Sequence, residues 1–270
     1  MDKFSKIPTI LPVIPPDPRP TKMSPPHPHL PNVEGEGGGA LLLLISPVRS
    51  GKSTLISNML LREDFYDAQE RFDQVSVISN TILNDVTSRF LRKAFEGNCH
   101  DFYDDSIIHG IIASQKKYDK EDQPEIALVL DDCLGSIKQN SAINHLCSRY
   151  RHFNIKLLVI SSQKFRGSVS PIIRANATDI IIGSPFPNQA ELNAVAEEYG
   201  DLFGGQKNWL KLYKKATPNR YDFCYMDCQE NPPVMYSNFE KVIAIGDTCS
   251  VDCDSDSDSD SEEEVEVKDK

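Results

Sequence analysis

Three short stretches carry side chains whose types and order suit phosphoryl chemistry. The first is Ser46-Pro47-Val48-Arg49-Ser50-Gly51-Lys52-Ser53-Thr54, which lies between an apolar run and a segment of helical character. Gly51-Lys52-Ser53 supplies the second half of the phosphate-binding pattern G-x-x-x-x-G-K-[ST], and Ser46 stands where that pattern has its first glycine. In such a loop glycine lets the backbone pass close to anionic oxygens, and the amides at the helix start point at them. Lys52 would neutralise the β- and γ-phosphates of ATP, and the Ser53 hydroxyl would ligate Mg2+. Ser46 to Thr54 is therefore the candidate nucleotide-binding segment.

The second stretch is Ile126-Ala-Leu-Val-Leu-Asp131-Asp132, a hydrophobic strand ending in two carboxylates. Burying such a pair is costly unless a cation or a donor awaits it. Beside a phosphate loop, Asp131 would join Ser53 in holding Mg2+, and Asp132 would activate the attacking water. Asp132 is one methylene shorter than the Glu common in this role, and both acids could instead cap the following turn. The third stretch is LLVISSQ, whose terminal Gln163 could sense the γ-phosphate or orient water through its amide. Its place at a strand's C-terminal end is where open α/β sheets bind ligands.

The elements that must hold these groups follow from the pattern. Continuous apolar runs at 40–46, 74–79, 125–132, 155–163 and 177–184 read as buried parallel strands. Helical segments are expected at 53–62, 84–95, 106–118, 141–153 and 189–199, the last with an apolar stripe at Leu192, Val195 and Ala196. WLKLY and RYDFCYM flank a TPN turn and read as a closing hairpin. Strands alternating with helices imply a mainly parallel sheet covered on both faces. The fold class is α/β.

Composition sets the boundaries. The chain has 270 residues and a net charge of −11, but residues 250–270 hold ten acidic and two basic side chains. Ten of the 18 prolines fall within residues 1–39. We therefore divide the chain into a disordered Pro/Gly-rich arm (1–39), a body (40–249) and a disordered, self-repelling acidic tail (250–270). The longest plain apolar run, Ala40 to Ile45, is far short of the roughly 20 residues that span a bilayer. The N-terminus lacks the pattern of a secretory signal, and seven scattered cysteines fit a reducing intracellular compartment. Cys224 and Cys228 with Cys249 and Cys253 could be stretched into a zinc set, but one pair falls in a strand and the other in the tail, so no zinc is assigned. From Cys133 to Thr178 there is no acid, while Lys138, Arg149, Arg151, Lys156, Lys164, Arg166 and Arg174 are basic. Such a stretch suits the phosphates of a nucleotide or of a DNA backbone.

Taken in order, SPVRSGKST, LVLDD, RYRHFNIKLLVISSQ, PIIRANATDIII and PNQAELNAVAEEYG resemble the additional-strand P-loop ATPases of the FtsK–HerA type. Within them the chain is most similar to the poxvirus-type DNA-packaging ATPases of large double-stranded DNA viruses, over roughly residues 40–225. The resemblance implies a three-layer P-loop fold of additional-strand type, and a homo-oligomeric ring that couples ATP hydrolysis to moving double-stranded DNA into a capsid. It also implies capsid or virion partners and action at a virus assembly site in the host cytoplasm, with presence in the virion open. By the same resemblance Arg174, or failing it Arg151, would reach a neighbouring subunit's γ-phosphate. Two other readings stand beside this one: a small P-loop kinase of nucleotides or nucleosides, and a non-catalytic nucleotide-binding assembly protein. A GTPase is disfavoured, since Ser162-Gln163-Lys164-Phe165 occupies the place of an N-K-x-D base reader.

Overall fold

Apolar runs too continuous to alternate between core and solvent need cover on both faces, and they become the middle of a sheet. β1 (Ala40–Ile45), β4 (Ile126–Asp131) and β5 (Ile155–Ser162) are buried at every position. The computed structural model describes residues 27–34, 38–138 and 140–246. The remaining strands are β2 (Gln74–Ser79), β3 (Cys99–His100), β6 (Asp179–Gly183), β7 (Phe223–Asp227), β8 (Val234–Ser237) and β9 (Lys241–Ile245). All form one sheet in the order β3-β2-β4-β5-β1-β6-β7-β8-β9. The strands from β3 to β6 in that order are parallel, and β7, β8 and β9 add on antiparallel.

The helices are α1 (Lys52–Leu61), α2 (Ala68–Arg71), α3 (Ser88–Ala94), α4 (Asp105–Gln115), α5 (Ala142–Cys147), α6 (Pro171–Asn176), α7 (Gln189–Tyr199) and α8 (Gln206–Ala216). Side chains alternate across β1, so Leu41, Leu43 and Ile45 enter one core while Leu42 and Leu44 enter the other. The first core takes apolar residues of α4, α5, α6, α7 and α8, and the second those of α1, α2 and α3. This is the three-layer arrangement. β5 lies between β1 and β4, which is the additional strand of the expected fold class.

Some expectations give way. WLKLY is no hairpin strand but the middle of α8, because Trp209, Leu212, Tyr213 and Ala216 recur at helical spacing and bury one face. RYDFCYM does form a strand, β7, but its hairpin partner is β8. The helix expected over 141–153 splits into α5 and a 3-10 turn at Tyr150–Phe153. The arm also reaches further into the fold than its prolines imply. Residues Leu30 and Val33 are buried, Tyr66 donates its hydroxyl to Pro31 O (2.6 Å), and Glu34 pairs with Arg71 (2.7 Å). Proline forbids a helix there but not packing. Residues 1–26 and the tail from 247 onward, with Cys249 and Cys253, lie outside the described residues.

At the entry to β6 the fully buried Asp179 accepts hydrogen bonds from Thr178 Oγ1 (2.7 Å), Tyr225 OH (2.8 Å) and Gln229 Nε2 (2.9 Å). Burial and the neighbouring Asp227 nonetheless push its carboxyl up to about 7. The folded state therefore keeps a proton that the unfolded chain releases above its ordinary carboxylate pKa. Stability from this group is full at low pH and is lost as pH rises through about 7. A melting series from pH 4 to 7 is expected to show a smaller fall for Asp179→Asn than for wild type, by at most about 4 kcal/mol. Equal slopes for the two proteins contradict the assignment.

Candidate active site

The loop after β1 turns through two left-handed residues, Arg49 (φ 63°) and Gly51 (φ 86°), before α1 begins at Lys52. Ser46 N donates to Ser162 O (3.0 Å) and carries the β1–β5 ladder one step past the strand. Ser46 and Ser50 are hydrogen-bonded through their hydroxyls, and Ser50 Oγ donates to Pro47 O (2.6 Å). Serine at the usual glycine position thus closes the loop on itself. It fits because the facing residue on β6 is Gly183, where any Cβ would overlap the Ser46 hydroxyl and sit 2.9 Å from Ser46 Cβ. Val48 and Arg49 form the exposed tip of the loop, Pro47, Ser53 and Thr54 are half-buried, and Ser50 and Lys52 are buried.

From this loop Lys52 reaches across β5 to the end of β4. Its ammonium forms a close ion pair with Asp132 and lies 3.8 Å from Asp131. Asp131 accepts Ser161 Oγ–H (2.5 Å) and Ser79 Oγ–H (3.4 Å). Burial raises the Asp131 carboxyl above its ordinary value, and Lys52 and the Ser161 hydroxyl oppose that rise. A buried carboxylate with this environment has reason to take a divalent cation, for which Ser53, at the start of α1, could supply a second oxygen. Among the described residues no ready cluster of three or more His, Cys, Asp or Glu exists.

Asp132 sits just past the strand with φ 55°, a left-handed conformation that Asp and Asn tolerate better than most residues. Its amide donates to Ser161 Oγ (3.2 Å), and its carbonyl accepts Asn80 Nδ2–H (3.2 Å). Gln163 Nε2 donates to Asp132 Oδ2 (3.2 Å) from the end of β5. The structure thus joins Lys52, Asp131, Asp132 and Gln163 in one group and does not leave the acids as turn caps.

Arg174 is not brought to this group. Its guanidinium pairs with Glu198 (2.9 Å) and lies 5.1 Å from the Phe165 ring centroid, all within its own chain. The acid-free stretch is partly neutralised from outside: Arg166 pairs with Glu197 and Lys156 with Glu125. Arg151 donates to Gly39 O (2.9 Å). Sequence reading passes over Ser79, Asn80, Ser161 and Gly183. Their only signal is that polar or small residues end three apolar runs, at VISN, VISS and IIIGS.

No protein-family model matches the chain, and no curated protein matches its sequence. Among solved structures, the chain is similar to B204, the DNA-packaging ATPase of Sulfolobus turreted icosahedral virus, with a TM-score of 0.53 and 18% identity over 75% of this chain and 98% of that one. It is also similar to the genome packaging NTPase B204 of Sulfolobus turreted icosahedral virus 2 in complex with ATP-gammaS, with a TM-score of 0.50 and 18% identity over 74% and 98%. These likenesses show a shared P-loop ATPase fold over most of both chains.

The Ser46–Gly183 fit gives a double-mutant test. Gly183→Ala is expected to destabilise the protein by about 1–3 kcal/mol through overpacking, and Ser46→Gly in the same chain to recover most of that. Chemical denaturation of the four proteins measures it. Additive losses in the double mutant would show that the two residues do not share the space.

Proposed function

We propose that the chain is an ATPase that drives double-stranded DNA into a viral capsid. The observation that carries the reading is the joining of Lys52, Asp131, Asp132 and Gln163 at the C-terminal ends of β4 and β5, next to the phosphate loop. A phosphate chain entering the loop gives Lys52 a further anionic partner and draws it from Asp132. Asp132 is then free to accept a proton from water, with Gln163 orienting the carboxylate or the water itself. Ser53 and Asp131 would hold Mg2+, which supplies charge neutralisation on the phosphates. An acid and an amide that bond to each other suit attack by water better than the acceptor pocket of a kinase.

Fold likeness to viral packaging ATPases supports the DNA part of the reading. Exposed Arg149, Arg151 and His152 add to it, lining one cavity at the opposite, N-terminal end of the parallel strands where a phosphodiester backbone could bind. In this reading the chain assembles as a homo-oligomeric ring, meets capsid or virion proteins, and works at an assembly site in the host cytoplasm. Among the described residues no helix is long and apolar enough to cross a membrane. An arginine given in trans would add charge as the bond breaks, a contribution of about 10³–10⁵ in rate where it operates. Arg174 is the proposed donor, and its pair with Glu198 must open for it to act.

ATP turnover by the full chain with and without duplex DNA tests the proposal. Duplex DNA is expected to raise the rate severalfold, and Lys52→Ala to abolish turnover and weaken ATP binding at least about tenfold. Phosphate transfer to an added nucleoside or nucleotide, with no DNA effect, favours the kinase. ATP binding without turnover in any assembly state favours the assembly protein.

A further inference from the structure

The nucleotide reading accounts for one flank of the phosphate loop. β1 has β5 on one side and β6 on the other, and every hydrolytic group lies on the β5–β4 side. On the β6–β7 side the loop borders a cavity of about 470 Å3, a size that ligand pockets commonly have. Its inner wall is apolar, from Leu44, Leu55, Ile181 and Phe223, and its rim is Arg220 and Tyr221. A nucleotide whose terminal phosphate faces Asp132 has its remaining part on this opposite flank.

Tyr221 is placed by unusual means. It is bulky, 54% exposed, and left-handed at φ 73°, a conformation that such residues rarely adopt. The turn before β7 holds it there, since Tyr221 N donates to Ser184 O (3.2 Å) and Ser184 N to Asp222 O (2.9 Å). Its ring borders the phosphate loop directly: a Cβ on Gly51 would be 3.6 Å from Tyr221 Cδ1. The Arg220 guanidinium lies 4.9 Å from the ring centroid. An exposed aromatic surface beside a cation, held at the mouth of an apolar cavity next to a phosphate loop, is built to take a flat π-system.

We propose that Tyr221, with Arg220 beside it, is the stacking platform for the nucleotide's base, so that this cavity is the base subsite. The assignment rests on the nucleotide reading of the loop and deepens it. Stacking reads the face of a base and not its edge, so the platform contributes affinity that inorganic phosphates cannot draw on. It is a binding residue and takes no part in hydrolysis.

Titration calorimetry with two probes, ATP and inorganic tripolyphosphate, separates this inference from the reading beneath it. Tyr221→Ala is expected to weaken ATP binding about 10- to 100-fold and to leave tripolyphosphate binding unchanged. Tyr221→Trp is expected to keep ATP affinity, with indole fluorescence quenched by ATP and not by tripolyphosphate. Unchanged ATP affinity in Tyr221→Ala overturns the proposal. Equal weakening of both probes also overturns it, since the ring then only props the loop at Gly51. Wild-type protein that binds neither probe, with Lys52→Ala no different, removes the nucleotide reading itself.

Discussion

One buried ammonium held against two carboxylates organises this protein. Lys52 comes from the loop after β1, and Asp131 and Asp132 from the end of β4. Because β5 lies between those strands, the two ends are about 10 Å apart at normal strand spacing, a gap that only a long side chain crosses. Removing one partner from such a pair leaves an uncompensated buried charge, which typically costs about 3–5 kcal/mol. The neighbours limit that burden: hydroxyls of Ser161 and Ser79 donate to Asp131, and Gln163 donates to Asp132. The apolar strands, covered on both faces, hold these ends in register.

The same arrangement explains why the resting cluster can be reactive. Asp131 is kept above its ordinary protonation range by burial, so added positive charge at that point is favourable. Asp132 is held by its backbone to Ser161 and Asn80, independently of the ion pair. In the proposed function, a Lys52 drawn toward phosphate would leave the Asp132 carboxylate without its cation but still held by its backbone. In that function, binding and base activation draw on one lysine, which starts from the loop closed by Ser46, Ser50 and Gly183.

Sequence reveals this site unevenly, and for physical reasons. Gly51-Lys52-Ser53 and the paired acids are legible because their chemistry needs fixed types at fixed local spacing. β1, β4 and β5 are legible because strands buried on both faces read as unbroken apolar runs. WLKLY misleads because five residues rich in Trp, Leu and Tyr suit a short strand by composition, and the helical recurrence of Trp209, Leu212, Tyr213 and Ala216 stands out only over a longer window. Ser46 looks like a defect in the phosphate pattern until Gly183, distant in sequence, is seen to make its room. Tyr221 and the Glu198 partner of Arg174 likewise depend on which surfaces meet, which local pattern does not encode. Leu30 and Val33 sit in a proline-rich segment whose composition hides their packing.

The account rests on Asp132 acting on water while competing with phosphate for Lys52. Asp132→Asn preserves side-chain shape and suits the same left-handed backbone, so it changes charge and little else. Equilibrium ATP binding and single-turnover hydrolysis, measured together on this variant and the wild type, test the claim most directly. The account predicts ATP affinity equal to or tighter than wild type, with hydrolysis reduced at least about 100-fold. Wild-type hydrolysis by Asp132→Asn, or a loss of ATP affinity in it, would contradict the account.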